Sequence, residues 1–339
     1  MVKYVRSKLE DAEKTKKSIV DVFDSSFPVK KEGGFVFFPV KEKVKGFDVV
    51  DLDVEPRPKR PRSIKEALSD CLSEEELEHF VSSFDVIGDI AIIDVPEELY
   101  AKKKMIGEAV LETHKNIHAV LNKKTGRKGV YRTLSLEFMA GIDKRETIYK
   151  EHGVRLKLNV EQVYFSPRLS EERRRISSLV KEGELVAGLF AGVGPFPLVI
   201  ARQNKCKVYS VELNPVAVKY MKENIELNKN ILKGEVVPIQ GDVLEVVNRL
   251  PECDRVLMPL PKGGEDFLDA AFRVCKDHGV IHFYQFAPDE DLYSEALGRI
   301  SSAAAKAGKQ FRVLNKHVVR PFSPRISQVV LDFEIGKSF

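Results

Sequence analysis

The sequence predicts an α/β protein whose C-terminal part is a mostly parallel sheet closed by an antiparallel edge hairpin, preceded by two smaller α/β or α+β domains. Three observations predict it. From Gln162 onward strands and helices alternate, and alternation at this length implies a parallel sheet with helices on both faces. The turn Phe190-Ala191-Gly192-Val193-Gly194-Pro195-Phe196 stands between a buried-type strand and a helix, where a Rossmann-like sheet binds its ligand. Finally, Glu55-Pro56-Arg57-Pro58-Lys59-Arg60-Pro61 alternates prolines that block helix and sheet ladders alike, and so reads as a linker.

Before that linker, a helical stretch (Lys8 to Phe23) precedes strand candidates Gly34–Val40 and Phe47–Val54. After it, Ser63-Ile64-Lys65-Glu66 has the spacing of a capping box. Phe84 to Val95 reads as a strand pair or one long strand around Gly88-Asp89, Glu97 to Thr113 as helix, and Ala119–Leu121 as a short strand. Gly129-Val130-Tyr131-Arg132 and Thr147 to Leu158 supply further strand patterns. The C-terminal series is strand Glu184–Leu189, helix Pro197–Asn204, strand Lys207–Glu212, helix Pro215–Asn228, then strands Val236–Gln240, Arg255–Met258 and Val280–Phe286. Helices Glu265–Lys276 and Glu290–Ala307 and the hairpin Phe311–Val319 with Gln328–Ile335 complete it. The expected domains are 1–58, 63–158 and 159–339.

A chain of 339 residues accommodates two or three such cores. No apolar run approaches the roughly 20 residues that cross a bilayer, so no membrane partner is expected. Met1 to Glu10 is charged and unlike a signal peptide. Cys71, Cys206, Cys253 and Cys275 are scattered, which argues for reduced thiols in a cytoplasm and against a metal site. The net charge of +4 says little, but the basic residues cluster. Arg57 to Arg62, Lys102-Lys103-Lys104, Lys123-Lys124 with Arg127-Lys128, and Arg173-Arg174-Arg175 each suit a phosphate backbone or a solvated face. Four clusters in both halves favour nucleic acid.

Gly192 and Gly194 let the main chain approach a ligand, although such a turn alone is equally a packing device. Glu212, about 20 positions on at the end of the next strand, is placed to accept both ribose hydroxyls of an adenosine cofactor, or else to cap the helix after Asn214-Pro215. Asp242 ends the third strand and is placed for the adenine amino group, or is a turn carboxylate. Turn, acid and acid after successive strands form a joint pattern. A dinucleotide would need a third glycine where Phe196-Pro197 stands. S-adenosylmethionine is the cofactor that remains.

With these residues in view, the chain resembles the archaeal tRNA methyltransferases that act on N1 of guanosine 37. The resemblance runs nearly end to end. It includes Gly129 to Arg132, Val163-Tyr164-Phe165-Ser166-Pro167-Arg168, Glu172-Arg173, the glycine turn, and Met258-Pro259-Leu260-Pro261-Lys262. It implies a class I methyltransferase domain behind two smaller domains. It assigns Glu172 as general base and Arg132 as partner of guanine O6. It assigns cofactor contacts to Tyr164, Arg173, Phe190, Glu212, Leu213, Asp242 and Val243, and to Pro259 and Pro261 in the Pro-Leu-Pro motif. Two positions depart from the common pattern. A carboxylate is usual where Gly188 stands, and an Asn where Pro259 stands. The Pro-Leu-Pro-Lys-Gly variant is similar to a branch whose members also methylate C7 of 4-demethylwyosine.

The implied chemistry is coherent. N1 of guanine is a poor nucleophile until its proton leaves; a carboxylate such as Glu172 can take that proton, and a guanidinium such as Arg132 can stabilise the charge moving onto O6. Read from residues alone, Glu172 pairs equally well with Arg175 or Lys181, and Arg132 equally well with a phosphate. The expected partner is tRNA, held by its anticodon arm and, through residues 1–58, its outer corner, with the protein acting as a monomer. Two rivals remain: a wyosine-pathway aminocarboxypropyl transferase on the same cofactor, and a tRNA-binding paralogue without catalysis, suggested by Gly188 and Pro259.

Overall fold

The computed structural model describes residues 1–57, 61–80 and 83–338, without the Arg127 side chain. Linker residues Pro58, Lys59 and Arg60 thus lie outside the described residues, as does the Arg127 contribution to the third basic cluster. The chain divides into two compact units, 1–66 and 67–339.

In the first unit, β1 (Val2–Lys8), β2 (Lys30–Glu32), β3 (Phe35–Pro39) and β4 (Asp48–Leu52) form an antiparallel sheet in the order β2-β3-β1-β4. The sequence reading missed β1, because Lys3, Arg6 and Lys8 alternate outward while Tyr4 and Val5 are buried. The expected helix from Lys8 to Phe23 is shorter: α1 spans Ala12–Ser18 between two 3-10 turns. It ends where Ile19 leaves helical geometry and enters the core with Val5, Val36, Phe38 and Val40. Next comes α2 (Ile64–Leu68), whose expected capping box is half formed. The Ser63 hydroxyl accepts from Glu66 N, but the Glu66 carboxylate accepts from Arg62 N. In the second unit, the complete box caps α3 (Glu74–His79), with Ser73 and Glu76.

In the second unit, β5 (Asp85–Ile87), β6 (Ile90–Ile93), β7 (Ala119–Lys128) and β8 (Thr133–Gly141) make a four-stranded sheet in sequence order. Helix α4 (Lys103–Thr113) crosses between the parallel strands β6 and β7. Gly129–Arg132 is not a strand, as its sequence pattern suggests, but the turn joining β7 to β8. Gly129 and Arg132 take φ values of 68° and 52° there, which no strand allows. The hairpin β9 (Glu146–Glu151) and β10 (Val154–Asn159) follows.

The large sheet begins after α5 (Ser170–Leu179). Its elements are β11 (Leu185–Leu189), α6 (Pro195–Gln203), β12 (Lys207–Glu212), α7 (Pro215–Asn228), β13 (Glu235–Gln240), α8 (Val243–Val246), β14 (Cys253–Met258), α9 (Leu268–Val274), β15 (Cys275–Pro288), α10 (Ser294–Ala307), β16 (Gln310–Ser323) and β17 (Ile326–Gly336). The strand order is β13-β12-β11-β14-β15-β17-β16. The first five strands are parallel; β17 and the edge strand β16 are antiparallel, as the sequence predicts. The order reverses direction between β11 and β14, so ligands belong beyond the carboxyl end of β11.

One apolar core joins the small sheet to the large one. Ile90, Leu121 and Leu136 of the former share it with Leu156 and Leu158 of the hairpin and with Leu198, Val199 and Ala217. The hairpin docks through amides. On α7, Asn224 and Asn228 stand one turn apart and act as a short neighbouring strand for β10. The Asn224 side chain accepts from Lys157 N and donates to Lys157 O; Asn228 does the same for Arg155. Asn224 is fully buried and also donates to the Val193 carbonyl inside the glycine turn, so one side chain spaces hairpin and turn.

Asn224→Leu leaves these main-chain groups without partners. It should lower stability by about 2 kcal/mol in urea unfolding. An unchanged midpoint would mean that the ladder contributes nothing.

Candidate active site

The turn after β11 and the ends of β12, β13 and β14 surround a cavity of about 640 Å3. Its far wall is the β7–β8 turn, so it joins the small sheet to the large one. Phe190 opens the glycine turn at φ 58°, a left-handed value that costs a bulky residue roughly 1–3 kcal/mol. Its ring is held edge-on against Phe267, 4.9 Å between centroids. Gly192 lines the cavity at φ 56°. Gly194 does not line it; it caps α6 at φ 89°, and a Cβ there would meet Met221 Cγ at 2.9 Å. Its role is to let α7 pack against the turn.

Glu212 ends β12 with both oxygens turned to main-chain donors, Oε2 to Gly192 N (2.7 Å) and Oε1 to Asn214 N (2.8 Å). Burial pushes its carboxyl above the usual glutamate range, against the opposing pull of those N–H groups. Asp242 caps α8 by accepting from Leu244 N, and so also serves as the turn carboxylate that its position allows. Leu213, Val243 and Pro259 supply apolar wall. Pro261 lies outside the lining, with its carbonyl accepting from Phe286 N. Gly188 is buried behind the turn, and a Cβ there would make only ordinary contacts, so packing does not enforce the absence of a side chain.

On the opposite wall Arg132 lies over the Tyr164 ring, 5.3 Å from its centroid. Arg173 lines the cavity but is 1% exposed and heavily engaged. Its Nε and Nη2 donate to the Glu151 carboxylate at 2.6 and 2.7 Å, and both Nη atoms reach the Ser166 carbonyl.

Glu172 is not part of the lining. It is 3% exposed and accepts from Arg175 Nε at 2.7 Å, Arg175 Nη2 at 2.8 Å, and the Tyr284 hydroxyl. The Arg175 pairing open from sequence is therefore present. Tyr284 packs edge-on against Phe196, which lines the cavity, so Glu172 sits one side chain behind the wall. A carboxylate offers about four acceptor sites, and three are used.

Behind Glu172 runs a row of buried polar groups. Arg175 also donates to Asp332 at 2.6 Å. Asp332 pairs with His282 Nδ1 at 2.6 Å, and Arg255 donates to His282 Nε2 at 2.7 Å and on to Glu184. Because Arg255 can only donate, Nε2 must accept, so His282 is neutral and gives its Nδ1 proton to Asp332; burial lowers its pKa accordingly. Burial works to raise the Asp332 carboxyl, but His282 and Arg175 outweigh it and hold it well below the usual range. The sequence reading missed this row, since its members are spread from α5 to β17. It also missed Asp266 and Phe267 on the cavity wall, which nothing in the sequence marked. Among the described residues, no group of three or more His, Cys, Asp or Glu could hold a metal ion, and no helix is long and apolar enough to cross a membrane.

A sheet of this order, with a glycine turn and two strand-end acids around one cavity, is that of a Rossmann-like methyltransferase. Residues 147–314 match the TRM5/TYW2 methyltransferase domain, and residues 64–144 match the TYW2 N-terminal domain. The chain is 42% identical to the tRNA (guanine(37)-N(1))-methyltransferase Trm5b of Pyrococcus abyssi, over 98% of each protein. It is 34% identical to the tRNA (guanine(37)-N(1))/4-demethylwyosine(37)-methyltransferase Taw22 of Nanoarchaeum equitans, over 62% of this chain and 86% of that one. Among solved structures, the complex of aTrm5 and tRNALeu superposes with a TM-score of 0.76 at 31% identity, covering 98% of this chain and 99% of that one. TYW2 of Methanocaldococcus jannaschii in complex with AdoMet gives 0.58 at 28% identity, covering 75% and 99%. The chain belongs to the TRM5/TYW2 methyltransferase family.

Asp332→Asn tests the buried row. A depressed carboxyl stabilises the fold above its unfolded pKa, and that stability is lost as pH falls through its folded value. At pH 7 the variant should unfold roughly 3 kcal/mol more easily. The gap should begin to shrink once pH falls below about 4, where the carboxyl of the unfolded wild-type chain protonates while the folded one stays ionised to lower pH. A gap independent of pH would place the cost elsewhere.

Proposed function

We propose that this protein transfers the methyl group of S-adenosylmethionine to N1 of guanosine 37 in tRNA. The observation that carries this is the single cavity bounded by Glu212 and Asp242 on one side and Arg132 on the other. The cofactor fits the residues present. Glu212 keeps lone pairs that would accept from a ribose diol, Phe190, Val243 and Phe267 would give an adenine apolar faces, and Asp242 would accept from its amino group. Bound there, S-adenosylmethionine supplies an electrophilic methyl on a sulfonium centre.

The protein's own work is orientation and proton handling. Arg132 donates to O6 as negative charge grows there, which lowers the barrier because the interaction is strongest in the transition state. Tyr164, under the Arg132 guanidinium, offers a face for the target base. Glu172 takes the N1 proton at its remaining acceptor site. For that the base has to open the wall at Phe196, which substrate binding must supply. The middle segment, 63–158, holds the anticodon arm with Lys102 to Lys104, Lys123, Lys124 and Lys128, and 1–58 takes the outer corner. The protein works as a cytoplasmic monomer.

C7 of 4-demethylwyosine is a second acceptor to test. Pro259 puts an apolar ring on the cavity wall where the family pattern has an Asn, which suits a larger tricyclic base.

Incubation with S-adenosylmethionine and unmodified tRNA transcripts, followed by digestion and mass analysis of nucleosides, should give N1-methylguanosine. A transcript with adenosine at position 37 should give none. Methylthioadenosine as co-product, with a heavier adduct on tRNA, would instead mark aminocarboxypropyl transfer, and tRNA binding without transfer would mark a non-catalytic paralogue.

Three substitutions divide the roles. Glu172→Ala should lower kcat by about 10²–10⁴ and Arg132→Ala by about 10²–10³, with cofactor affinity kept in both. Glu212→Ala should instead weaken cofactor binding, read by calorimetry with S-adenosylhomocysteine. Loss of cofactor affinity in Glu172→Ala would mean that residue is misassigned.

A further inference from the structure

Methyl transfer to N1 releases one proton, and the buried position of Glu172 raises the question of where that proton goes. While base and cofactor occupy the cavity, the cavity itself cannot serve as the exit. The groups around the carboxylate narrow the choice. Arg175, from its own helix, offers only donors. The Tyr284 hydroxyl, on β15, is fully buried, and burial next to Glu172 raises its pKa far above the ordinary phenol value. Asp332, on β17, is engaged by Arg175, His282 and Asn315. His282 is neutral, fully buried and committed at both nitrogens. One titratable group among the described residues both approaches Glu172 and reaches solvent: His317 on β16, with Nε2 3.9 Å from Glu172 Oε2 and a side chain 43% exposed.

Its placement follows from the hairpin. His317 pairs with Val330 of β17, and Val330 packs with Ile176 of α5 in the core beside Tyr284. The edge strand therefore presents this imidazole toward α5 while leaving its side chain partly open to solvent. Imidazole is the side chain that gains and loses a proton near neutral pH, so it suits a transfer from a carboxyl group to bulk water.

We propose that His317 relays the reaction's proton from Glu172 to solvent. The balance is simple. Guanine N1 loses H⁺ to the Glu172 carboxylate as the N1–CH₃ bond forms and the sulfonium's S–CH₃ bond breaks. The Glu172 carboxyl passes that H⁺ to His317 Nε2, and the imidazolium loses one to water. No oxidant or second reactant is needed. His317 acts through Glu172 and touches neither cofactor nor target base. The proposal rests on Glu172 being the base.

The test is His317→Ala in the full-length protein with an unmodified tRNA transcript, followed from pH 6 to pH 9. The expected result is a kcat lower by roughly 10-fold near neutrality, with KM for tRNA and affinity for S-adenosylhomocysteine unchanged. Added imidazole should restore kcat with saturation, and the loss should diminish at high pH, where hydroxide can take the proton directly. His317→Gln, which keeps a polar side chain of similar reach, should be as slow as the alanine variant. Unchanged kcat across the pH range would overturn the relay. So would a loss that imidazole leaves untouched and that appears in KM for tRNA, since that marks a contact with RNA. Glu172→Gln run in parallel separates the two readings. If it retains transfer, the base assignment fails and the relay with it. If it abolishes transfer while His317→Ala stays fully active, only the relay fails.

Discussion

The contact between Arg173 and Glu151 is made almost without solvent, and it fixes the hairpin β9–β10 to the helix that carries Glu172. A pair this buried gives up most of its hydration, and its attraction recovers that only with good geometry. Here two parallel hydrogen bonds and the Ser166 carbonyl provide it, while the rings of Phe165 and Phe196 stand 5.4 and 5.9 Å from the guanidinium. The same guanidinium forms part of the cavity wall. Holding Glu151 therefore also sets the position of that wall relative to the glycine turn. Remove either partner and a buried charge is left facing the place where the cofactor is proposed to bind.

Around that pair the chain separates two kinds of polar residue. Glu212, Asp242 and Arg132 line the cavity. Glu172, Asp332, His282, Arg255 and Glu184 form a row in which each group is oriented by the next. The row runs from α5 through β17, β15 and β14 to the start of β11, so the end of the sheet added after the parallel strands supports the candidate base. The antiparallel hairpin β16–β17 thus does more than close an edge. It brings Asp332 to Arg175 and His317 to Glu172.

Much of the large sheet was legible because its strands are buried on both faces and its turns fall where glycine, proline and acids cluster; β12 and α7 match their expected bounds. What sequence could not show was pairing at a distance. Nothing near Arg173 announces Glu151, and nothing near Glu172 announces Tyr284 or Asp332. At Gly129–Arg132 the strand-favouring Val130 and Tyr131 disguise a turn, because the positive φ of Arg132 is visible only in three dimensions. Gly194 lies outside the cavity lining, and its lack of a Cβ makes room for Met221, a packing demand that the sequence pattern does not reveal. The general base and the O6 partner came from family resemblance. The residues by themselves favoured ion pairing for Glu172, and the structure contains that ion pair.

The amide ladder between α7 and β10 has a consequence for how such an enzyme would release RNA. Contacts to phosphates weaken steeply as salt rises, because they depend on displaced counterions. Asn224 and Asn228 carry no charge, and their bonds to Lys157, Arg155 and Val193 lie inside the protein where ions do not screen them. Ionic strength can therefore loosen the grip on a polyanion without loosening the scaffold that shapes the cavity. A protein built this way can tune its residence time on RNA through its surface alone, and keep the reacting geometry constant while it does so.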